Sequence, residues 1–263
     1  MHYSVCASAV FSGAPLPEAL SSVREAGYDR YEFWSWWDQD LDALVRAQGQ
    51  QQLSAAAMCT RFIPLTDPAC RAEYIAGLEE TIEASERLGC ASLISQVGQE
   101  MPGIPRERQH SSIVEGLRAC VPMLRASGRT LVIEPLNTKI DHQGYYLWQS
   151  EEAFRIVDAV GHPCVRVLYD VYHQHIMGED TAREIQRNID KIGHIHIAGY
   201  PGRHELLGGE LPGGEFLGGE IDLGPVLEAL TRGGYAGAVG LEYFPVGDPV
   251  EGLRVLRERF PLG

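Results

Sequence analysis

The sequence predicts an α/β protein with a closed (β/α)8 TIM barrel, built as a single domain over residues 1–263. Short apolar runs alternate with segments of helical period, and the count of such pairs reaches eight. The links between them are short, which favours parallel strands. A chain of 263 residues with 44% hydrophobic content can form one large core. A doubly wound open sheet is the alternative, but no G-x-G-x-x-G motif follows the first run.

The predicted strands are mostly continuous apolar runs, as expected for parallel strands that are covered on both faces. They are VCASAVF (5–11), RYEFW (30–34), LSAAAMC (53–59), ASLISQVG (91–98), TLVIEPL (130–136), VRVLYDV (165–171), GHIHIAG (193–199) and AVGLEYF (238–244).

The predicted helices lie between these runs, and several end in glycine, the residue that best adopts the left-handed conformation of a helix cap. They cover residues 15–27, 41–49, 70–89, 106–128, 150–161, 179–193, 223–234 and 248–260.

Four polar residues stand at the C-terminal ends of the last four predicted strands: Glu134, Asp170, His196 and Glu242. Taken singly, a carboxylate is usually solvated and a histidine in an apolar run usually belongs to the core. Four at equivalent strand ends favour one shared site, because these ends meet at the catalytic mouth of a barrel. Three carboxylates and one imidazole form a hard, oxygen-rich ligand set. It suits one Mn²⁺, Mg²⁺ or Co²⁺ ion better than a thiolate-type zinc site, with Zn²⁺ as an alternative.

Five motifs in order resemble those of a known family. They are VIEPLN (132–137), YDVYH (169–173), HIHIAGYPGRHE (194–205), GGEIDL (218–223) and GLEYFP (240–245). Together they make the chain similar, over nearly its whole length, to the hydroxypyruvate isomerase branch of the xylose isomerase-like superfamily of sugar isomerases and epimerases. The resemblance implies that Glu134, Asp170, His196 and Glu242 hold one divalent ion. One departure is His196, where that branch usually has glutamine, and this favours a metal here.

The expected activity is the interconversion of an aldehyde and a ketone in a small hydroxy-carbonyl compound, either hydroxypyruvate-like or a short sugar. Moving a carbonyl to the adjacent carbon requires removal of a carbon-bound proton and stabilisation of the enediolate that results. Glu134 and Glu242 are predicted to act as base and acid from two sides of the substrate.

Five residues are predicted to contact the substrate. The resemblance places His173 against the substrate, and His175 stands where relatives carry another polar group. Arg203 offers a guanidinium that can bind a carboxylate with two prongs. Arg61 stands near the mouth of the third strand, with Glu32 and Gln96 as weaker candidates nearby. Trp36, in the segment EFWSWWDQD (32–40), is expected to line the pocket, to form a subunit contact in a homo-oligomer, or to pack against the outer helices.

Three alternative functions differ from an isomerase in what they require. A ketose 3-epimerase would use the same proton abstraction. An abasic-site endonuclease would need more histidine ligands and a basic surface, which the net charge of −14 disfavours. A non-catalytic barrel subunit is disfavoured because all four ligands are present.

The acidic balance, with a pI of about 5.0, predicts a small-molecule partner and no nucleic acid. The N-terminus lacks the pattern of a signal peptide and no apolar run approaches 18 residues, so we expect no membrane partner and a cytoplasmic enzyme. The glycine-rich segment 202–223 is predicted to cover the mouth of the seventh strand.

Overall fold

The computed structural model describes residues 1–206, 209–210, 216–217 and 219–262, and its strands confirm the predicted barrel. Eight parallel strands close on themselves, and two further strands form a separate antiparallel pair. The strands are β1 (His2–Cys6), β2 (Arg30–Phe33), β3 (Ser54–Cys59), β4 (Ser92–Ser95), β5 (Thr130–Ile133), β6 (Val165–Asp170), β7 (Ile192–Ile197), β8 (Gly209–Glu210), β9 (Phe216–Leu217) and β10 (Ala238–Leu241). Around the barrel the order is β1, β10, β7, β6, β5, β4, β3 and β2.

Helices follow the strands and pack around the barrel. They are α1 (Ala7–Val10), α2 (Leu16–Glu25), α3 (Leu41–Gln51), α4 (Arg71–Leu88), α5 (Arg106–Ser127), α6 (Ser150–Val160), α7 (Val171–Met177), α8 (Thr181–Asn188), α9 (Leu223–Arg232) and α10 (Pro249–Arg259). Gly89 and Gly128 end α4 and α5 with φ of 67° each, the left-handed conformation that glycine adopts at little cost. In the parts of the chain that the structure describes, no helix is both long enough and apolar enough to cross a membrane.

Seven of the eight predicted strands end earlier than their apolar patterns suggest, and the first and the sixth show why. The first was expected over 5–11, but β1 ends at Cys6 and residues Ala7–Val10 form α1. A short run of small apolar residues fits the period of a strand and that of a helix equally well. The sixth ends at Asp170, because its side chain accepts a hydrogen bond from the backbone N of His173 at 3.1 Å and so caps α7.

Alternation along the strands separates an outer core from the barrel interior. On β5, Leu131 and Ile133 belong to the main core beneath the helices, whereas Val132 belongs to a second cluster. That inner cluster consists of Ala57, Cys59, Ile94, Val132 and Leu168. The inward position that follows Val132 is Glu134, and the one that follows Leu168 is Asp170. The strand period therefore points both carboxylates into the barrel mouth.

The segment predicted to cover the mouth, residues 202–223, is only partly described. Residues 207–208, 211–215 and 218 lie outside the described residues, and β8 pairs with β9 between them. A covering role for this segment stays a prediction.

Candidate active site

The four predicted ligands converge at the C-terminal end of the barrel. Glu134 and Glu242 directly follow β5 and β10, Asp170 ends β6, and His196 lies on β7. One ligand atom from each of the four lies within 4.8 Å of the others, and all four side chains are buried. Oxygen and nitrogen ligands bind divalent ions at about 2.0–2.6 Å, so atoms on opposite sides of one ion lie about 4–5 Å apart. The group therefore has the dimensions of a single divalent-metal site.

The orientation of His196 tests whether these residues fit a metal. Its Nε2 lies 2.8 Å from Oε2 of Glu32 and donates to it. Its Nδ1 therefore faces the carboxylates, 3.2 Å from Glu242 Oε2 and 3.7 Å from Glu134 Oε1, without a hydrogen bond of good geometry to either. A buried lone pair that faces carboxylate oxygens needs a proton or a cation between them. The donor set fits a divalent ion.

Glu32 is the functional residue that sequence reasoning underrated, since it was only a weak pocket candidate. Its carboxylate is 1% exposed and contacts both His194 Nε2, at 3.0 Å, and His196. A carboxylate on the far nitrogen of a metal-binding histidine orients the ring and strengthens it as a ligand. The available signal was strand alternation, because Tyr31 and Phe33 both belong to the outer core and leave Glu32 facing inward.

Arg203 and Trp34 hold Glu242 on both oxygens. Trp34 Nε1 donates to Oε1 at 2.6 Å, and Arg203 Nη2 donates to Oε2. Burial by itself would raise the pKa of Glu242, but Arg203 and His196 outweigh it and hold the pKa well below its usual range. Glu242 is therefore ionised, with Arg203 as its counter-ion.

Glu134 and Asp170 differ from Glu242 in their partners. Glu134 accepts from Gln96 Nε2 on Oε2 at 3.2 Å, while its Oε1 is buried without a hydrogen bond. Burial raises the pKa of Asp170, although Arg203, at 3.7 Å from its Oδ2, and His196 oppose this effect. The carboxylate of Glu134 thus keeps one oxygen free beside the candidate ligand atoms of Asp170, His196 and Glu242.

A cavity of about 840 Å³ opens over this centre. At its inner end it is lined by Glu134, His173, His196, Arg203 and Glu242, and Trp34 and Gln96 belong to the same wall. Other parts of the wall include apolar side chains and the carboxylates of Asp67 and Glu100; the apolar residues are Phe62, Ile63, Pro64, Met101, Pro102 and Leu136. The predicted substrate residues His173 and Arg203 therefore share one pocket with the candidate metal centre.

Three other predicted substrate contacts are not part of the cavity wall that the described residues form. Arg61 pairs with Glu80 at 2.7 Å and its guanidinium lies 5.0 Å from the ring of Trp36, which itself donates to Thr81. His175 packs against Tyr200, with ring centroids 5.4 Å apart. Of the three clustered tryptophans, Trp34 is the one that lines the cavity, because it directly follows β2 at the barrel mouth, whereas Trp36 packs against α4.

The sequence model of one family, described as xylose isomerase-like TIM barrel, matches residues 20–259. The chain belongs to this family. Hydroxypyruvate isomerase of Escherichia coli is 27% identical over 265 residues, which cover 97% of each chain. The 2-oxo-tetronate isomerase of Cupriavidus necator is 30% identical over 190 residues, covering 72% of this chain and 69% of that one. These members confirm the predicted branch of the family, and they agree with the predicted enzyme class, an isomerase.

A solved structure shows how closely the fold is shared within the family. A crystal structure described as AP endonuclease, family 2, from Brucella melitensis has a TM-score of 0.87 and 26% sequence identity, and the match covers 98% of both chains. The two proteins therefore share the barrel fold over nearly their whole lengths.

Proposed function

We propose that the protein is a metal-dependent isomerase that moves a carbonyl group between adjacent carbons of a small hydroxy-carbonyl compound, with a hydroxypyruvate-like oxo-acid as the favoured substrate class. The convergence of Glu134, Asp170, His196 and Glu242 within 4.8 Å, beneath a cavity that contains Arg203, carries this proposal. The names of the curated relatives, hydroxypyruvate isomerase and 2-oxo-tetronate isomerase, support a small oxo-acid.

The metal would be held by the four converging side chains, with Mn²⁺, Mg²⁺ or Co²⁺ preferred by their hard oxygen donors. Bound there, a divalent ion would polarise the substrate carbonyl and offset the negative charge of the enediolate. Glu32 keeps the Nδ1 lone pair of His196 directed at this position.

Proton transfer is assigned to Glu134 and Glu242. Glu134 has a buried oxygen without a partner, which favours it as the group that removes the carbon-bound proton. Glu242 Oε2 is occupied by Arg203 until a competing anion engages the guanidinium. A substrate carboxylate would draw Arg203 towards itself and release that oxygen for the second proton transfer.

Two other functions are weighed against this one. A ketose 3-epimerase would use the same carboxylates and return the proton to the opposite face of the same carbon. An abasic-site endonuclease, suggested by the description of the Brucella structure, fits less well. The described cavity wall includes one arginine and no lysine, and the protein carries a net charge of −14.

The test is an activity screen of metal-stripped protein with Mn²⁺, Mg²⁺, Co²⁺ or Zn²⁺ restored, over C3 to C6 hydroxy-carbonyl compounds in deuterated water. We expect metal-dependent movement of the carbonyl with deuterium at the neighbouring carbon. Inversion of a stereocentre without carbonyl movement would replace the isomerase with the epimerase. Full activity in chelator-treated protein of verified metal content would defeat the metal-dependent proposal.

A further inference from the structure

His173 is completely buried, yet one nitrogen of its ring has no hydrogen-bond partner. Its Nε2 lies 3.6 Å from Oδ2 of Asp170 without bonding to it, and the side chain is part of the cavity wall. An unpaired buried polar atom costs free energy. Because His173 lines the cavity, the hydrogen-bond partner that we expect for its Nε2 is a molecule bound in the cavity. Whether that atom donates or accepts depends on the other ring nitrogen.

The amide of Asn137 can adopt only one orientation. Its Oδ1 accepts from the backbone N of Ile140 at 3.0 Å and of Asp141 at 3.1 Å. Turning the amide over would place its NH₂ group against these two N–H donors, and its oxygen against the Asp141 carboxylate. Nδ2 is therefore the atom that lies 2.6 Å from Asp141 Oδ2 and 2.7 Å from His173 Nδ1.

This orientation determines the tautomer of His173. Its Nδ1 faces two donors, Nδ2 of Asn137 at 2.7 Å and the backbone N of Asn137 at 3.3 Å. Nδ1 must accept, so the single proton of the neutral ring is on Nε2. The unpaired Nε2 of this cavity-lining residue is therefore a hydrogen-bond donor.

We propose that Asn137 is a positioning residue that holds His173 in the Nε2–H tautomer, so that His173 donates a hydrogen bond to a substrate oxygen and removes no proton. The part of this role that concerns the substrate rests on the proposed function. A neutral donor fits an oxygen on which negative charge develops. In this proposal Glu134 and Glu242 transfer the protons, and His173 binds the substrate oxygen.

The test reverses the polarity of the hydrogen bond without changing the net charge. In the double variant Asn137→Asp/Asp141→Asn, the carboxylate at position 137 still accepts the two backbone N–H groups, and the amide at position 141 donates to it. This carboxylate can only accept from His173, and it lies closer to Nδ1 than the one remaining donor, the backbone N of residue 137 at 3.3 Å, so we expect the proton on Nδ1. We expect two-bond ¹H–¹⁵N spectra of ¹⁵N-histidine-labelled, Mg²⁺-saturated protein to show Nε2–H in the wild type and Nδ1–H in the double variant. A His173→Gln sample identifies the signal.

Activity and metal binding supply the second readout. We expect kcat/KM of the double variant to fall about ten- to a hundred-fold, the effect of losing one hydrogen bond to a charged oxygen. Its Mg²⁺ affinity, measured by calorimetry, should stay within two-fold of wild type, which separates a lost donor from a damaged metal site. Asp141→Asn alone is the matched control and should keep the Nε2–H signal, because Asn137 still donates to the ring.

Two results would overturn the proposal. One is a proton on Nδ1 of His173 in the wild type, which can be observed even if the double variant does not fold. The other is a reversed tautomer with undiminished kcat/KM. Failure of the proposed function would show differently, as a wild-type protein without turnover of any hydroxy-carbonyl compound. An Nε2–H signal in that protein, recorded without substrate, would still support the control of the tautomer by Asn137.

Discussion

At the scale of single residues, the buried carboxylates of the site differ in their hydrogen-bond partners. Glu134 keeps one oxygen unpaired, Glu242 uses both oxygens on Trp34 and Arg203, and Glu32 uses both on histidines. A base needs a free lone pair and an orienting group needs none, so under the proposed function the same side-chain type serves three purposes within one site.

Replacing Glu134 or Glu242 by glutamine keeps the shape of the side chain but removes its ability to accept a proton. We expect turnover to fall by about 10² to 10⁴ fold in each variant, with the circular dichroism spectrum unchanged. Glu100→Gln is the matched control, since Glu100 lines the same cavity and is half exposed. Metal content is measured in every sample. A variant that keeps the wild-type rate on the true substrate would assign its residue to holding metal alone.

Arg203→Lys distinguishes an oxo-acid substrate from a neutral sugar. Lysine keeps the charge but loses the two-pronged geometry, so an acid substrate should lose about 1.5 to 3 kcal/mol, or roughly ten- to a hundred-fold in kcat/KM. A neutral sugar should be affected much less. Kinetics of the variant on one acid and one sugar check this, and an unchanged constant for the acid would defeat the hydroxypyruvate-type assignment.

At the scale of the elements, β10 must lack a side chain at position 240, because His196 and Glu32 fill the space beside it. Gly240 on β10 is paired in register with His196 on β7. A Cβ at position 240 would lie 2.5 Å from His196 Cδ2 and 2.6 Å from Glu32 Oε1. Glycine is therefore required here by the space that the His196–Glu32 pair occupies and not by backbone conformation.

Gly240→Ala should consequently weaken metal binding by about ten- to a hundred-fold, through displacement of His196 and Glu32. We also expect a loss of about 1 to 3 kcal/mol in stability from overpacking. Calorimetric Mn²⁺ titration and thermal unfolding measure the two effects. Gly49→Ala is the control, because position 49 is an exposed helical site with no atom within 4 Å of the added Cβ, and it should be neutral or slightly stabilising. Equal metal affinity in both variants would contradict this role of Gly240.

At the scale of the whole molecule, Glu152 links the segments that follow β4 and β5, and both segments line the cavity. This buried carboxylate on α6 accepts from Tyr146 Oη at 2.6 Å and from Arg106 on α5, and Arg106 also donates to the backbone O of Tyr146. Burial would raise the pKa of Glu152, but the hydrogen bonds from Tyr146 and Arg106 outweigh it and lower the pKa below 4.5. The loops after β4 and β5 are thus joined by a charged group.

The sign of the pH dependence follows from this lowered pKa. A carboxyl group with a lower pKa in the folded state stabilises the protein above its unfolded pKa, and this contribution is lost as the pH falls below about 4.5. At pH 7, Glu152→Gln should reduce the free energy of unfolding by about 1.5 to 3 kcal/mol, and the difference from wild type should shrink in acid. Urea unfolding at several pH values tests this. The exposed Glu228→Gln, which removes a surface pair with Arg232, should change stability by less than about 0.5 kcal/mol. A difference for Glu152→Gln that is constant with pH would contradict the charged link.

The sequence by itself predicted the barrel fold and the four candidate metal ligands, because both depend on local patterns of apolar and polar residues. Apolar runs and helical periods predicted the closed barrel, because each pattern reflects which face of an element is buried. The ends of four strands predicted the convergence of Glu134, Asp170, His196 and Glu242, since parallel strands bring equivalent ends to one mouth. Boundaries were less predictable, as in β1, where a run of small apolar residues fits a strand and a helix equally well.

Only the tertiary structure decided which side chains contact the predicted ligands and the predicted substrate residue His173. Glu32 contacts His196 across the barrel, Trp34 and not Trp36 reaches Glu242, and Asn137 orients His173. These pairs are between 36 and 208 residues apart in the chain, and no local period relates their positions. Their distances depend on how eight strands close around one axis, so hydrogen bonding across the barrel had to be read from the folded protein.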